Sequence, residues 1–507
     1  MKGLHVFLCL LFTSSGFCQP GFNQFYSLDV NGASFVNGIV SQDQVHLIGV
    51  MNSPDVFGLQ GIVFIEADTN GNITGMFPYF DVNQKTLAFS EGGDVVQLDS
   101  GDFVTFGGYS SETSFFLAIY RPAVDSVYFR KIPIANVLNR VAYELVPYKG
   151  GFLIQGGVVN LQGRFQTLLL HIDMEGNIIW EGRYNLPGLD ENSRCMKVLD
   201  ENTIVVGAVS GDFLNESWTQ SRIFAVDSLG VIKWDWQSPD NDEGMVTAIE
   251  RLENGDWLYI NKKHLVYAQD SVEGYSQLVR RDSNMNLLWT QRLSPTNWIW
   301  AFSHKLLPTP DGHWIVSENT ALIGPDFTWT GSDGKAGCLT KVTSEGEILW
   351  QVCDSIHWDV PAAVSDEFVG GHVVLPSGSS ILIGRSNRWQ PSPPRSFGWM
   401  FKVDENGCMV ESACATDVVE AVPEGGRIQI YPNPARDELT LVLPQPLTTG
   451  GLLQIFNSTG RVEYQGQVAQ GAGEKTLNIS RLAPGFYSIH LKLEDGGLFI
   501  EKLIVQR

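Results

Sequence analysis

Leu170-His-Ile-Asp-Met-Glu-Gly-Asn-Ile-Ile-Trp180 is an apolar strand, an Asp-rich turn holding a glycine, and a second strand that ends in tryptophan. The phrase returns as Ala225-Val-Asp-Ser-Leu-Gly-Val-Ile-Lys-Trp234, Arg281-Asp-Ser-Asn-Met-Asn-Leu-Leu-Trp289 and Lys341-Val-Thr-Ser-Glu-Gly-Glu-Ile-Leu-Trp350. Worn copies are Glu66-Ala-Asp-Thr-Asn-Gly-Asn-Ile-Thr74, Tyr120–Phe129 and Lys402-Val-Asp-Glu-Asn-Gly-Cys-Met-Val410. An Asp-x-x-Gly turn suits a type I turn followed by a left-handed residue, which joins two antiparallel strands. The period is about 50–60 residues, the range of blade-like repeats.

A second phrase, a turn followed by an apolar strand, lies between these hairpins with seven copies of its own. They are Gln44–Val50, Gly101–Gly108, Gly150–Gly157, Asn202–Ala208, Asn254–Asn261, Asp311–Glu318 and Ser377–Gly384. Two hairpin-linked strand pairs repeated seven times predict an all-β, seven-bladed β-propeller, because one blade cannot bury both faces and stacking around an axis supplies the core. The repeated Trp is expected to pack between neighbouring blades. Phe22–Val30 resembles the strand that follows each repeated Trp but has no hairpin before it. It is expected to complete the last blade and tie the ring shut. The propeller then spans residues 19–414, with 415–426, rich in Val, Glu, Pro and Gly, as a linker.

The Asp-x-x-Gly-x-x-x-Trp phrase resembles the repeat of pyrroloquinoline-quinone-like bacterial propellers. That resemblance implies architecture and no activity. Those enzymes hold their cofactor on a Trp and a disulfide between adjacent cysteines, and no two cysteines are adjacent here. No cofactor is expected.

Residues 1–18 read as a signal peptide: Lys2 is the positive start, Val6–Phe12 the short apolar core, and Gly16 and Cys18 the small residues before cleavage at Gln19. Phe17 is too bulky beside Cys18 for a lipidated cysteine. No other apolar run approaches the ~20 residues of a membrane-spanning helix. A formal charge of −22 argues against nucleic acid as the main partner. Cys338 and Cys353 are symmetric about the Glu345-Gly346 turn and so face each other across a hairpin, as a disulfide requires. Cys408 and Cys414 offer a second pair, and Cys195 is left as a buried apolar residue. No cysteine spacing matches a zinc site, and no metal is expected.

Residues 427–507 read differently. Pro432 and Pro434 end the short strand Ile428–Tyr431, Leu439, Leu441 and Leu443 alternate, and Leu453 and Ile455 carry another strand. In Tyr487–Glu494, Tyr487, Ile489, Leu491 and Leu493 share one face, and a final strand runs over Leu498–Val505. Six or seven short strands in about eighty residues predict a small immunoglobulin-like β-sandwich. The segment resembles the type A C-terminal sorting domain of proteins exported by the type IX secretion system of Bacteroidota. The matching residues are Tyr431-Pro432-Asn433-Pro434, Leu439, Ile455, Gly460, Leu482-Ala-Pro-Gly485-Phe-Tyr487, and Lys502 with Ile504 and Val505. Phe486 departs from the pattern, where a small β-branched residue is common. The resemblance implies Sec export, then delivery by the type IX machinery to the outer-membrane surface or the medium.

Chemistry is scarce. Gly-x-Ser-x-Gly, His-Glu-x-x-His and a phosphate-binding Gly-x-x-x-x-Gly-Lys-Ser/Thr are all missing. Gly331–Gly337 holds a Lys with no Ser or Thr after it and reads as a loop. Asp68–Asn72 and Asp240–Glu243 are oxygen-rich but lack the distal bidentate Glu of a calcium loop, and read as turns. Asp125-Ser-Val, Asp227-Ser-Leu, Asp270-Ser-Val and Asp354-Ser-Ile resemble O-glycosylation acceptors of Bacteroidota. Trp298, Trp300, Trp329, Trp358 and Trp389 cluster in the longest repeats and are the candidates for stacking on a glycan or protein ligand, with inter-blade packing as the alternative. The expected function is a surface binding or adhesion module. An extracellular hydrolase or lyase working at the channel mouth and a surface-layer component are the alternatives.

Overall fold

A computed structural model describes residues 21–505 except 27–32, 54, 57–58, 82–85, 90–92, 111, 214–218, 240–243, 269–270, 294–297, 323–334, 355–364, 389–394, 410–428, 433–434, 444–445, 458–461, 484 and 494–497. The signal-peptide reading, the linker and Cys414 lie outside the described residues. The chain divides into two compact units, Met1–Met409 and Val410–Arg507. Both are built of strands, and no α-helix occurs among the described residues.

In the first unit the described strands form seven sheets. Sheet I is Ala33–Ser41, Gln44–Asn52, Gln60–Asp68 and Ile73–Tyr79. Sheet II starts with a split strand, Leu87–Ala88 and Val95–Gln97, and continues through Phe103–Tyr109, Phe115–Arg121 and Ser126–Ile132. Sheet III is Val137–Tyr148, Gly151–Asn160, Phe165–Asp173 and Ile178–Tyr184. Sheet IV is Asp190–Asp200, Thr203–Gly211, Thr219–Val226 and Ile232–Gln237. Sheet V is Met245–Arg251, Trp257–Ala268, Ser271–Arg281 and Leu287–Arg292. Sheet VI is Trp298–Pro308, Trp314–Leu322, Lys335–Val342 and Ile348–Asp354. Sheet VII has Ser365–Val374, Ser380–Arg388 and Arg395–Val403 from the end of the unit, and its fourth strand is Phe22–Tyr26. The first strand of each sheet touches the first strand of the next, and that of sheet VII touches that of sheet I. The first strands therefore form a closed circle, and successive apolar clusters fill the spaces between sheets.

The third-to-fourth turn is built by its first side chain. Asp282 Oδ1 accepts from the N–H groups of Asn284 (2.8 Å) and Asn286 (2.9 Å), and Oδ2 takes the Asn286 amide at 2.8 Å. These donors hold the Asp282 carboxyl below its ordinary range, the Asn286 side chain most of all. Asp68, Asp173, Asp227 and Asp404 clamp their turns in the same way. Asp68 thereby spends its oxygens on its own turn, which accounts for the oxygen-rich Asp68–Asn72 stretch. The fourth turn residue needs positive φ, supplied by Gly176 (79°), Gly230 (81°) and Gly407 (81°) and, without a glycine, by Met285 (67°).

Each such turn docks under the sheet before it. Trp180 of sheet III donates its indole N–H to Ser228 O at 3.0 Å, and a Cβ on Gly230 would sit 3.1 Å from its ring. Trp289 covers Gly346 and Trp350 covers Gly407 alike. The residue two before the turn adds a cation: Arg280 Nη1 donates to Ser344 O (2.9 Å), Lys341 Nζ to Glu405 O (3.1 Å) and Lys402 Nζ to Thr69 O (2.8 Å).

Phe22–Tyr26 obeys the same rules. Phe22 pairs with Lys402, two before Asp404, as Trp180 pairs with His171, two before Asp173. The Phe22 ring covers Gly71 as Trp180 covers Gly230. Tyr26 Oη donates to Gly71 O at 2.6 Å, as Tyr184 Oη donates to Gly230 O at 2.7 Å. The segment is thus a displaced fourth strand in correct register.

Cys338 and Cys353 are register partners and are disulfide-bonded. Cys408 is disulfide-bonded as well, and Cys195 is free and buried. The second unit has a three-stranded sheet (Gln429–Tyr431, Glu438–Val442, Glu474–Asn478) and a four-stranded sheet (Val462–Val468, Gly451–Asn457, Gly485–Leu493, Leu498–Val505). One apolar cluster that includes Leu439, Leu441, Leu453, Ile455, Tyr487, Ile489 and Leu491 joins them.

Candidate functional site

Six of the seven first strands carry a bulge at the corresponding place, and among the described residues the split strand of sheet II does not. The extra residue is Val36, Tyr143, Arg194, Thr247, His304 or Gly370 in sheets I, III, IV, V, VI and VII. A bulge bends its strand and re-aims the side chain. Four of these residues, Val36, Tyr143, Arg194 and Gly370, line a cavity of about 440 Å³ at the start of the first strands. Ser34, Phe35, Val50, Phe89, Val141, Phe368 and Arg385 complete its lining. The Arg194 guanidinium lies 4.2 Å from the Tyr143 ring centre, and that of Arg385 lies 4.7 Å from the Phe368 ring centre.

Beyond the bulges the axis is filled by charge. Asp94 Oδ1 accepts from Asn37 Nδ2 and from Lys305 Nζ, each at 3.1 Å, so one carboxylate ties sheets I, II and VI together. Lys197 Nζ lies 2.6 Å from Glu250 Oε2. Glu144 is half-buried and accepts the Met196 N–H at 2.5 Å. Burial, and then the Asp94 carboxylate, push Glu144 up to about 8 against the opposing pull of Met196 N–H and Lys305. Glu144 is therefore protonated at neutral pH.

The folded value of about 8 lies above the ordinary 4.5, so between these pH values the folded chain holds a proton the unfolded chain lacks. Its contribution to stability is complete below about 4.5 and is lost as pH rises through 8. Glu144→Gln mimics the protonated acid and keeps the acceptor for Met196. Relative to the parent it should gain on the order of a few kcal/mol between pH 5 and 8. Urea unfolding across that range checks this, and a parallel pH profile for the two proteins would refute it.

Antiparallel alternation fixes which connections border the cavity. First strands start there, so second-to-third connections and entries from the previous sheet lie at that end, while the tight Asp turns lie at the other. Leu322 and Lys335, Asp354 and Ser365, and Arg388 and Arg395 are strand ends on the cavity side, and they flank the positions of Trp329, Trp358 and Trp389. Those three residues lie outside the described residues. Trp298 and Trp300 open the first strand of sheet VI, in register with Leu322 and Ala321. The cavity residues themselves carry no local motif, since they come from separate sheets.

In the second unit Tyr431 ends its strand exposed and precedes a cis bond to Pro432. Asn433, Pro434 and Gly460 lie outside the described residues. Leu482 is buried, Gly485 opens its strand, and Lys502 pairs with Ser488. Tyr487 Oη donates to Ala483 O at 2.8 Å, fastening the turn before its own strand as a tyrosine corner does.

No curated protein matches the chain. Among solved structures, the propeller domain of the Trilobed protease from Pyrococcus furiosus is 7% identical, covering 72% of this chain and 97% of that one at a TM-score of 0.40. Penicillium chrysogenum α-L-arabinanase in complex with arabinobiose is 12% identical, covering 64% and 98% at 0.39. The extracellular domains 1–2 of Drosophila Semaphorin 1a are 6% identical, covering 76% and 88% at 0.41. Residues 429–506 match the family described as Secretion system C-terminal sorting domain. That tail addresses the chain, through the type IX system, to the cell surface or the medium.

Proposed function

We propose that the first unit is a closed seven-bladed β-propeller, residues 19–414, that binds a ligand at the mouth of its axis. Residues 427–507 are an immunoglobulin-like sandwich that serves as its address, and 415–426 link the two. Contacts from each sheet to the next and the displaced fourth strand support the architecture. One observation favours binding over catalysis: no Asp, Glu, His or Cys is among the described residues lining the cavity. General acid–base chemistry draws mostly on such groups within hydrogen-bond reach of the reacting atom, and the phenol among the described lining residues, Tyr143, lies against the Arg194 guanidinium.

A second reading, hydrolysis of polysaccharide or peptide, draws on Glu144, a carboxylic acid held protonated near neutral pH as a general acid must be. Glu144 is not among the described residues lining the cavity, which weighs against that reading. Glycan-array and surface-proteome binding by the mature chain, run beside turnover assays on the same ligands, separates the two. Saturable binding without turnover is expected. Turnover that Glu144→Gln abolishes, with no stable binding, would favour the hydrolase.

A further inference from the structure

We infer that the cavity at the mouth takes a carboxylate carried on an apolar body, a reading that rests on the binding function proposed above. The chain carries a net charge of −22, yet the described residues lining its cavity include two arginines and no acid. The guanidinium carbon of each lies over a ring, Tyr143 for Arg194 and Phe368 for Arg385, and a guanidinium presents its N–H donors as a planar fork. That fork matches the two oxygens of a carboxylate. The Arg385 Nε is sealed from solvent with no acceptor, and its guanidinium makes no ion pair among the described residues. An anionic ligand supplies the countercharge that this guanidinium lacks among the described residues.

The rest of the wall sets the body of the ligand. Apart from the arginines, Ser34 and Tyr143 alone among the described lining residues offer polar side chains, and the rest are Phe, Val and Gly. A hydroxyl-rich sugar would leave most of its hydroxyls unmatched there. An aliphatic or aromatic acid would bury its apolar part and meet the arginines with its charged end. About 440 Å³ suits a body of one aromatic side chain's size with room for water. A free chain end with an apolar last residue and a small aryl acid share this chemistry.

Calorimetry on the full mature chain tests it with four probes: N-acetylphenylalanine, its neutral amide, 4-phenylbutyrate, and a pentapeptide ending in a free phenylalanine carboxylate. The acids should bind and the amide should bind at least about tenfold more weakly. Arg385→Gln should lose at least about tenfold for the acids while leaving the unfolding midpoint unchanged, and Arg385→Lys should recover part of the loss. Should the Gln variant unfold, Arg194→Gln provides the same reading from the opposite wall. A pentapeptide tighter than phenylbutyrate supports the inference with a chain end as the source, and the reverse order supports it with a small acid. Equal binding of acid and amide, binding indifferent to both arginines, or no saturable binding by any probe at millimolar concentration overturns it. Tighter binding of a neutral oligosaccharide in this cavity also overturns it but leaves the binding module standing. Turnover of a bound probe would instead defeat the binding reading.

Discussion

A chain lacking residues 21–26 should lose the closure of its ring and fail to accumulate as a soluble monomer. Phe22–Tyr26 is the whole fourth strand of sheet VII, and its loss bares the edge of Arg395–Val403, where Trp399, Met400, Phe401 and Val403 are buried. An apolar strand edge of that kind pairs with other chains. Asn23 Oδ1, which accepts the Trp399 indole N–H at 2.9 Å, leaves with it. Single changes grade the effect. Tyr26→Phe removes the 2.6 Å bond to Gly71 O and should cost about 1–2 kcal/mol. Phe22→Ala uncovers Gly71 and should cost about 2 kcal/mol, less than a fully buried Phe because Phe22 is half-buried. A peptide spanning 21–30 added during refolding should restore monomer, since it needs only to dock. Size-exclusion chromatography with thermal unfolding reads all three. Normal stability in the deletion would mean that the ring does not depend on this strand.

The second large effect lies inside sheet IV. Arg222 is 2% exposed and donates through Nε and Nη2 to both oxygens of Asp235, at 3.0 and 2.7 Å. Its Nη1 donates to Glu191, which is 0% exposed and also accepts Ser210 Oγ at 3.0 Å. The guanidinium rests on the Phe224 ring, 4.5 Å from its centre. Removing one member of a buried pair strands the other without countercharge, at about 3–5 kcal/mol. Arg222→Met should lose that much in urea unfolding, because Glu191 is left charged or must take up a proton. Adding Glu191→Leu to it should recover a large part, since apolar replacement of both partners is often tolerated. A loss under about 1 kcal/mol for Arg222→Met would show that water already reaches this triad.

These two predictions mark what the sequence showed and what it hid. The repeat was legible because every copy must solve one local problem, turning a strand through a left-handed residue, and five of the seven do so with an Asp clamp while sheet VI uses Thr343 and sheet II the Pro122–Val124 turn. Phe22–Tyr26 was legible because it keeps the spacing of the strand it replaces. Met285 shows the limit of the pattern: the left-handed place is occupied without the expected glycine. The inter-sheet cations Arg280, Lys341 and Lys402 were invisible, since a basic residue in a strand says nothing about a carbonyl some 60 residues away or at the far end of the chain. The cavity was hidden for the same reason. Arg194 and Arg385 meet only through ring closure, as do Asp94 and Lys305, which are 211 residues apart. The tail was legible because its motifs are contiguous.

A binding ring and a separable address make the central claim, and one measurement tests it most directly. The chain truncated after residue 426 is expressed in a native type IX host and followed by fractionation, surface protease accessibility and calorimetric unfolding. The account predicts an unfolding transition of the ring within about 2 °C of the parent, and retention inside the outer membrane. A truncated chain that reaches the surface, or a ring that unfolds many degrees lower without its tail, would contradict it.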